Sequence, residues 1–264
     1  MSQFVGPDGV EMRNFIFSQI EWSAVNRILD VGCGVGYDLY EIGARVTEQN
    51  ASSAETKSHQ QFCGIDVSPE KIHTANTDSR KDESYEFRVH NFADKLPYSD
   101  GYFDVVYSHN VLECAADKAA FLTECHRVLK PGGQILCAHF DWDSAFYNGS
   151  DKDLIRKITH TYADWQQDWM DACDGWMGRR LWGTMQRSNL FVDAKLVTYQ
   201  ITNTKYEFPY YGFKSVQGYG DMVAKALISQ DEYKAFTADM DALAISGDYL
   251  FCITTFIYVA KTRC

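Results

Sequence analysis

The chain has 264 residues, of which 45% are hydrophobic and 23% are charged, so it can bury the full core of one α/β domain. Its 36 acidic and 25 basic residues give a formal net charge of −11, which disfavours nucleic acid as a partner because phosphate contacts need clustered Lys and Arg. The first residues lack the basic and apolar regions of a signal peptide, and no apolar run approaches the roughly 18 residues that span a bilayer. We therefore expect a cytoplasmic protein with no nucleic-acid or membrane partner.

The cysteines predict neither a metal site nor a disulfide framework. There are eight, with no C-x-x-C pair and no Cys/His spacing typical of zinc ligands. Several lie in apolar runs, where a free thiol behaves as a small hydrophobe. We expect reduced, structural cysteines and no metal.

Near the start of the chain, residues 8–22 have the apolar period of an amphipathic helix. Such a helix either covers one edge of a sheet or closes over a ligand, and the first of these is the commoner arrangement. Residues 47–59 are polar and have no apolar period, which is typical of an exposed connection.

Between these segments lies a glycine-rich stretch, Arg27-Ile-Leu-Asp-Val-Gly-Cys-Gly-Val-Gly36. It predicts a buried strand, a sharp turn and then a helix, which together form a ligand cradle where backbone approaches the ligand closely. A dinucleotide fingerprint, G-x-G-x-x-G, would need its third glycine at position 37 or 39, which are Tyr37 and Leu39. The spacing therefore argues against a nicotinamide cofactor.

A second buried strand, residues 61–66, ends in an acid, Asp66. Ser68 and Pro69 then predict a helix start, with a serine N-cap and a proline in the first turn. An acid at the carboxyl end of the second strand can accept both ribose hydroxyls of an adenosine. Asp66 is therefore the strongest single binding residue that the sequence nominates.

Further strands and helices alternate along the chain. Strands are predicted at 85–90, 101–112, 133–140, 194–207 and 249–260, and a helix at 117–130 is closed by Pro131-Gly132-Gly133. This alternation predicts an α/β fold with a doubly wound, mainly parallel sheet.

Four segments in this order, ILDVGCGVG, GIDVSPEKI, LPYSDGYFDVVYSHNVLE and ECHRVLKPGGQILCAH, resemble the ubiquinone/menaquinone-type branch of the class I S-adenosylmethionine-dependent methyltransferases. The resemblance covers roughly residues 25–140. It implies a seven-stranded, Rossmann-like sheet with helical insertions that roof the active site, and S-adenosylmethionine as the cofactor. The cofactor-binding residues that it implies are Asp30, Gly32, Cys33, Gly34, Gly36, Asp66, Val67, Asn91, Phe92, Ala93 and His109.

The adenine contacts depart from the family pattern. Where the family has an acid shortly before the Leu-Pro pair, this chain has Phe92. Asn91 or Asp94 could accept from the adenine amino group, and Phe92 could flank the ring.

Beyond residue 140 the pattern predicts one long helical region, 151–190, that is rich in tryptophan and aspartate. We expect a single methyltransferase domain, 1–264, with an N-terminal helix (1–22), a cofactor-binding core (23–140) and two substrate-cap insertions (141–190 and 207–246). Trp142, Trp165, Trp169 and Trp176 are candidate substrate contacts, although tryptophans at helical spacing more often pack against the sheet.

These observations predict methyl transfer to a small molecule by a monomer or homodimer. An amine acceptor is mildly preferred because aromatic side chains hold cations well. The alternatives are O- or S-methylation of an aromatic metabolite, and methylation of a protein or nucleic acid. His109 is a candidate general base or a turn residue, and Asp141 a candidate cation anchor.

Overall fold

The computed structural model describes residues 6–49 and 60–264. Within them, the strands are β1 (Arg27–Val31), β2 (Gln61–Asp66), β3 (Tyr85–Val89), β4 (Phe103–His109), β5 (Leu129–Tyr147), β6 (Phe191–Asn203) and β7 (Phe251–Thr262). They form one seven-stranded sheet in the order β3-β2-β1-β4-β5-β7-β6. The predicted Rossmann-like α/β fold is confirmed.

The helices in the described residues are α1 (Pro7–Phe17), α2 (Tyr37–Gln49), α3 (Pro69–Thr77), α4 (Lys118–Val128), α5 (Lys152–Ala163), α6 (Met177–Ser188), α7 (Tyr211–Tyr219), α8 (Asp221–Ala224) and α9 (Gln230–Ser246), with a 3₁₀ turn at Leu112–Cys114. None of these helices is long and apolar enough to cross a membrane.

The order of the first strands sets the place of the ligand. β1 pairs in parallel with β2 on one side and with β4 on the other, and β2 pairs in parallel with β3. The chain therefore runs outward from β1 and returns to β1's other side with β4. In open α/β sheets, ligands bind outside the carboxyl ends of the strands at such a reversal. Both Gly32 and His109 lie there, at or just beyond the ends of β1 and β4.

The chain divides into two compact units. Unit 2 comprises Ile16–His139, Arg180–Val197 and Ile257–Cys264, and unit 1 comprises Phe140–Arg179, Thr198–Phe256 and a first segment that ends at Phe15. The sequence predicted one domain with a cofactor-binding core at 23–140, and the first long stretch of unit 2 ends at His139. The insertions predicted at 141–190 and 207–246 fall largely within unit 1.

In unit 2 the core lies on both faces of the first strands. Ile28, Leu29, Val105 and Val106 are fully buried, as expected for central parallel strands. The helices contribute further apolar side chains, among them Leu39 and Ile42 of α2 and Phe121, Leu122, Cys125 and Val128 of α4.

Unit 1 is built around aromatic side chains. The ring of Tyr147, at the end of β5, contacts Phe251 at a centroid distance of 4.7 Å, Phe236 at 5.4 Å and Tyr219 at 6.2 Å. Asp8 of α1 accepts from the Asn203 side chain at 2.9 Å and from the Tyr211 backbone at 2.7 Å, which ties α1 into this unit.

Three element predictions need correction. The predicted helix 151–190 is two helices, α5 and α6, separated by a non-helical segment at residues 164–176. The helix predicted at 8–22 ends at Phe17, and β5 is 19 residues long where eight were predicted. Residues 50–59 of the predicted polar connection lie outside the described residues. All eight cysteines are free thiols, as predicted, and only Cys264 is exposed.

Candidate cofactor site

The turn after β1 has the shape that its glycines predict. The backbone N–H groups of Gly32 and Cys33 both donate to the carbonyl of Ile65 at the end of β2, at 2.8 and 2.9 Å. Gly32 and Gly36 have φ of +77°, a region that favours glycine. A Cβ at Gly32 would overlap the Val111 side chain, and one at Gly36 would lie 2.7 Å from the Phe87 ring. Neither position can accept a larger residue without rearrangement.

The middle glycine of the turn has a different surrounding. A Cβ built on Gly34 would meet none of the described atoms within 4 Å, so this part of the backbone borders open space. Its N–H donates to Asp66 Oδ2 at 2.9 Å, while the N–H of Ser68 donates to Asp66 Oδ1 at the same distance. Asp66 is only 8% exposed. One carboxylate thus joins the glycine turn to the start of α3, where Ser68 caps the helix as predicted.

Two carboxylates act on a third around this turn. Burial raises the pKa of Asp30 well above its ordinary value, and the charges of Asp38 and Asp66 raise it further. Burial, followed by the charges of Asp30 and Asp66, also raises the pKa of the Cys33 thiol far above its ordinary range. Cys33 therefore stays protonated and is unsuited to nucleophilic chemistry. A cation bound in the turn would relieve the repulsion among the carboxylates.

Two side chains near the end of β4 contact an aspartate that the sequence analysis did not nominate. Asp38, in the first turn of α2, accepts from the Tyr107 hydroxyl at 2.7 Å, and the Nδ1 of His109 lies 3.5 Å from the same Oδ2 atom. Asp38 follows Gly36 by two residues, yet no spacing rule relates it to β4. Only the register of the folded sheet could have identified it.

The residues after β2 and β3 occupy mixed surroundings. Val67 is 45% exposed at the end of β2. Asn91 accepts from the backbone N–H of Ala93 at 2.9 Å, so its side chain stabilises the local turn. The Phe92 ring contacts Phe121 edge-on, with centroids 5.5 Å apart, and is half-buried. The choice between Asn91 and Asp94 as the adenine acceptor therefore stays a prediction.

Asp141 lies in unit 1 and is 1% exposed. It accepts three hydrogen bonds from Arg179: from the backbone N–H at 3.0 Å, from Nε at 2.5 Å and from Nη2 at 2.5 Å. The cation that Asp141 holds is thus Arg179, at the start of α6. A substrate-anchoring role for Asp141 remains a prediction, and its carboxylate is already engaged by the protein.

The candidate substrate tryptophans fall into two groups. In unit 1, Trp142 and Trp165 both contact Tyr162 edge-on, at centroid distances of 5.7 and 6.2 Å. Trp169 and Trp176 are about half exposed, and Arg179 lies over the Trp176 ring at 4.8 Å. The helical spacing assumed for Trp165, Trp169 and Trp176 was wrong, because all three lie in the non-helical segment 164–176.

Known proteins share both the sequence pattern and the fold. The sequence model of a family described as "Methyltransferase domain" matches residues 23–206, more than half of the chain. A 2-methyl-6-phytyl-1,4-hydroquinone methyltransferase of Synechocystis is 31% identical over 49% of this chain, and a ubiquinone biosynthesis O-methyltransferase of Maricaulis maris is 33% identical over 42%. The matched regions span 38% and 39% of those relatives.

A solved structure of a putative methyltransferase from Bacillus halodurans has the same fold. The superposition gives a TM-score of 0.59 at 12% identity and covers 96% of this chain and all of the other. The glycine turn, the acid after β2, the strand order and the family match agree with one another. The chain belongs to the methyltransferase domain family, in its class I, S-adenosylmethionine-dependent group.

Proposed function

We propose that this protein transfers the methyl group of S-adenosylmethionine to a small-molecule acceptor, with a mild preference for an amine. The observation that carries this proposal is the set of carboxylates around the glycine turn: the charges of Asp38 and Asp66 both act on the buried carboxyl of Asp30 where the strand order reverses. Such a site suits a ligand with positive charge.

S-adenosylmethionine fits these residues, and a dinucleotide fits them poorly. Its sulfonium and ammonium groups would relieve the repulsion among the carboxylates, whereas a pyrophosphate would add to it. Each Asp66 oxygen accepts one backbone N–H and retains a lone pair, so this carboxylate can also accept ribose hydroxyls. The open space beside Gly34 allows the close approach of a ligand to backbone.

The chemistry requires little from the protein beyond alignment. When bound, the cofactor supplies an activated methyl carbon that an acceptor's lone pair can displace from sulfur. Asp66 and the glycine turn would fix that carbon in place, and exclusion of water would favour the attack. A hydroxyl acceptor needs a base in addition, and His109 at the end of β4 is the proposed one.

The aromatic side chains of unit 1 support an amine acceptor. The Tyr162 ring contacts the rings of Trp142 and Trp165. The faces of such aromatic rings attract cationic groups. We propose that residues 141–190 and 207–246 choose the acceptor.

A hydroxyl group on an aromatic ring is a second candidate acceptor. Asp38 lies beside His109, as a carboxylate does beside a histidine that acts as a base. Of the named relatives, the protein of Maricaulis maris is an O-methyltransferase of ubiquinone biosynthesis. Methylation of nucleic acid is the least favoured alternative, since the net charge of −11 repels a polyanion.

The test has two steps. Calorimetry should detect binding of S-adenosylmethionine and S-adenosylhomocysteine and no binding of NAD. Incubation of the protein with labelled S-adenosylmethionine and a metabolite library should then give a labelled small product. Binding of NAD in preference to either adenosyl ligand would refute the proposal. A labelled product methylated on an amine would support the first acceptor, and one methylated on a phenol oxygen would support the second.

A further inference from the structure

Of the three aspartates discussed at the glycine turn, Asp38 is the one that the sequence motifs did not nominate as a site residue. It lies in the first turn of α2, two residues after the last glycine of the turn, and its side chain is only 13% exposed. A charged side chain so well buried is seldom retained without a partner. Its partners therefore indicate what it does.

Those partners both lie on β4. The Tyr107 hydroxyl, on a fully buried side chain, donates to Asp38 Oδ2 at 2.7 Å. The Nδ1 of His109 lies 3.5 Å from that same oxygen. Tyr107 and His109 are two residues apart on one strand, so their side chains leave the same face of the sheet. Asp38 reaches both from the helix above that face.

The register places His109 beside the glycine turn. Asp30 pairs with Tyr107 and Val31 with Ser108, so the turn that begins at Gly32 starts where His109 ends β4. In this turn the charges of Asp38 and Asp66 act on the buried carboxyl of Asp30, and the Tyr107 hydroxyl donates to Asp38. His109 therefore lies where the methyl donor is proposed to bind, with a carboxylate behind it.

We propose that Asp38 is the positioning residue for His109: together with Tyr107 it fixes the imidazole with its proton on Nδ1 and leaves Nε2 as the basic nitrogen. An ionised carboxylate only accepts hydrogen bonds, so the ring nitrogen that faces it is the one that carries the proton. The Tyr107 hydroxyl bond holds the carboxylate in place, and the carboxylate orients the ring. This inference rests on the proposed function, in which His109 receives the acceptor's proton.

The proton balance of the step is simple. The acceptor's lone pair forms the bond to the methyl carbon while the carbon–sulfur bond breaks and its electrons pass to sulfur. The acceptor's O–H or N–H proton passes to His109 Nε2. Asp38 then faces an imidazolium and stabilises its charge, until the proton leaves to water.

A purely structural role for Asp38 would look different. In that case Asp38 would only join α2 to β4 through Tyr107, and the tautomer of His109 would not depend on it. Asp38→Ala separates the two roles because it removes the oxygen that faces Nδ1, whereas Tyr107→Phe removes only the bond that joins Asp38 to β4 through Tyr107. Without that acceptor, His109 should return to the Nε2–H form that predominates in a neutral imidazole.

Long-range ¹H–¹⁵N correlation spectra of the uniformly ¹⁵N-labelled full chain, recorded with and without S-adenosylhomocysteine, measure the tautomer directly. The chain has seven histidines, and His109→Asn identifies the signal that belongs to His109. We expect Nδ1–H in the wild type and Nε2–H in Asp38→Ala. Glu41→Gln is the matched control: it removes one negative charge from the same helix at an exposed site, and the tautomer should not change.

Nε2–H in the wild type, or an unchanged tautomer in Asp38→Ala, would overturn the inference. The kinetic arm uses the acceptor found by the metabolite screen. In Asp38→Ala, kcat should fall at least about 100-fold with little change in the KM for S-adenosylmethionine. A reversed tautomer with unchanged kcat would refute the catalytic part. If no acceptor reacted while the tautomer reversed as expected, the proposed function would fail and the assignment of Asp38 to His109 would stand.

Discussion

Replacement of Asp66 by Ala is the sharpest probe of the cofactor site. Its carboxylate accepts from Gly34 and from Ser68, both at 2.9 Å, and Asp66 is 8% exposed. The variant would leave both N–H groups without this acceptor and would remove the proposed contacts to the ribose. Two costs are therefore expected, one to the folded protein and one to binding.

The magnitudes follow from the hydrogen bonds. A buried donor that loses its partner costs about 1–3 kcal/mol, and we expect a destabilisation in that range because both donors are only partly buried. Loss of the hydroxyl contacts should weaken cofactor binding by about 1–3 kcal/mol as well, which corresponds to roughly a 5- to 150-fold higher dissociation constant.

Calorimetry with S-adenosylhomocysteine, at a temperature where thermal melting shows both proteins folded, measures the second cost alone. Glu83→Ala is a suitable control because this exposed glutamate lies just before β3 and is not among the proposed cofactor contacts. Equal affinity in wild type and Asp66→Ala would remove Asp66 from the binding site and would refute the reasoning from its geometry.

Three other predictions concern charge. His109→Asn should abolish the acidic limb of the rate–pH profile while leaving cofactor affinity intact; a modest loss of rate at every pH would instead indicate that His109 only aligns the acceptor. The pKa of Asp30 is raised in the folded state, so its ionisation destabilises the fold as the pH rises above the ordinary pKa of 3.8. Asp30→Asn should therefore raise the melting temperature of the cofactor-free protein at pH 7 more than at pH 4. Each 1 kcal/mol gained would appear as about 2–4 °C, and an equal or larger gain at pH 4 would contradict the assignment. Asp141→Asn should destabilise unit 1 by about 1–3 kcal/mol, whereas Asp153→Asn, at an exposed site, should have little effect. If the free-energy changes of Asp141→Asn and Arg179→Met simply add in the double variant, the Asp141–Arg179 pair is not the cause.

Local rules predicted the parts of the fold that depend on neighbours in sequence. The glycine turn, the Ser68 cap and the alternation of strands and helices each depend on a few consecutive residues, and the fold class was confirmed from them. Register was out of reach, which is why Asp38 was missed: its importance comes from α2 lying over β4.

The break between α5 and α6 was missed for a related reason. The tryptophans and aspartates of residues 164–176 recur at a spacing that imitates a helix. In the folded chain, Gly175 returns to the end of α5, where a Cβ would lie 2.4 Å from the carbonyl oxygen of Ala163. Such a close approach is a tertiary contact, and no periodicity reveals it.

The two hydrogen bonds that Asp66 accepts, one from the glycine turn and one from the start of α3, also couple two amides that are distant in sequence. Gly34 and Ser68 are 34 residues apart in sequence, yet each donates its N–H to the same carboxylate. Release of that side chain would expose both amides to solvent together. Their hydrogen-exchange rates should therefore report one shared opening event, and a ligand that engages Asp66 should slow exchange at both amides by a similar factor.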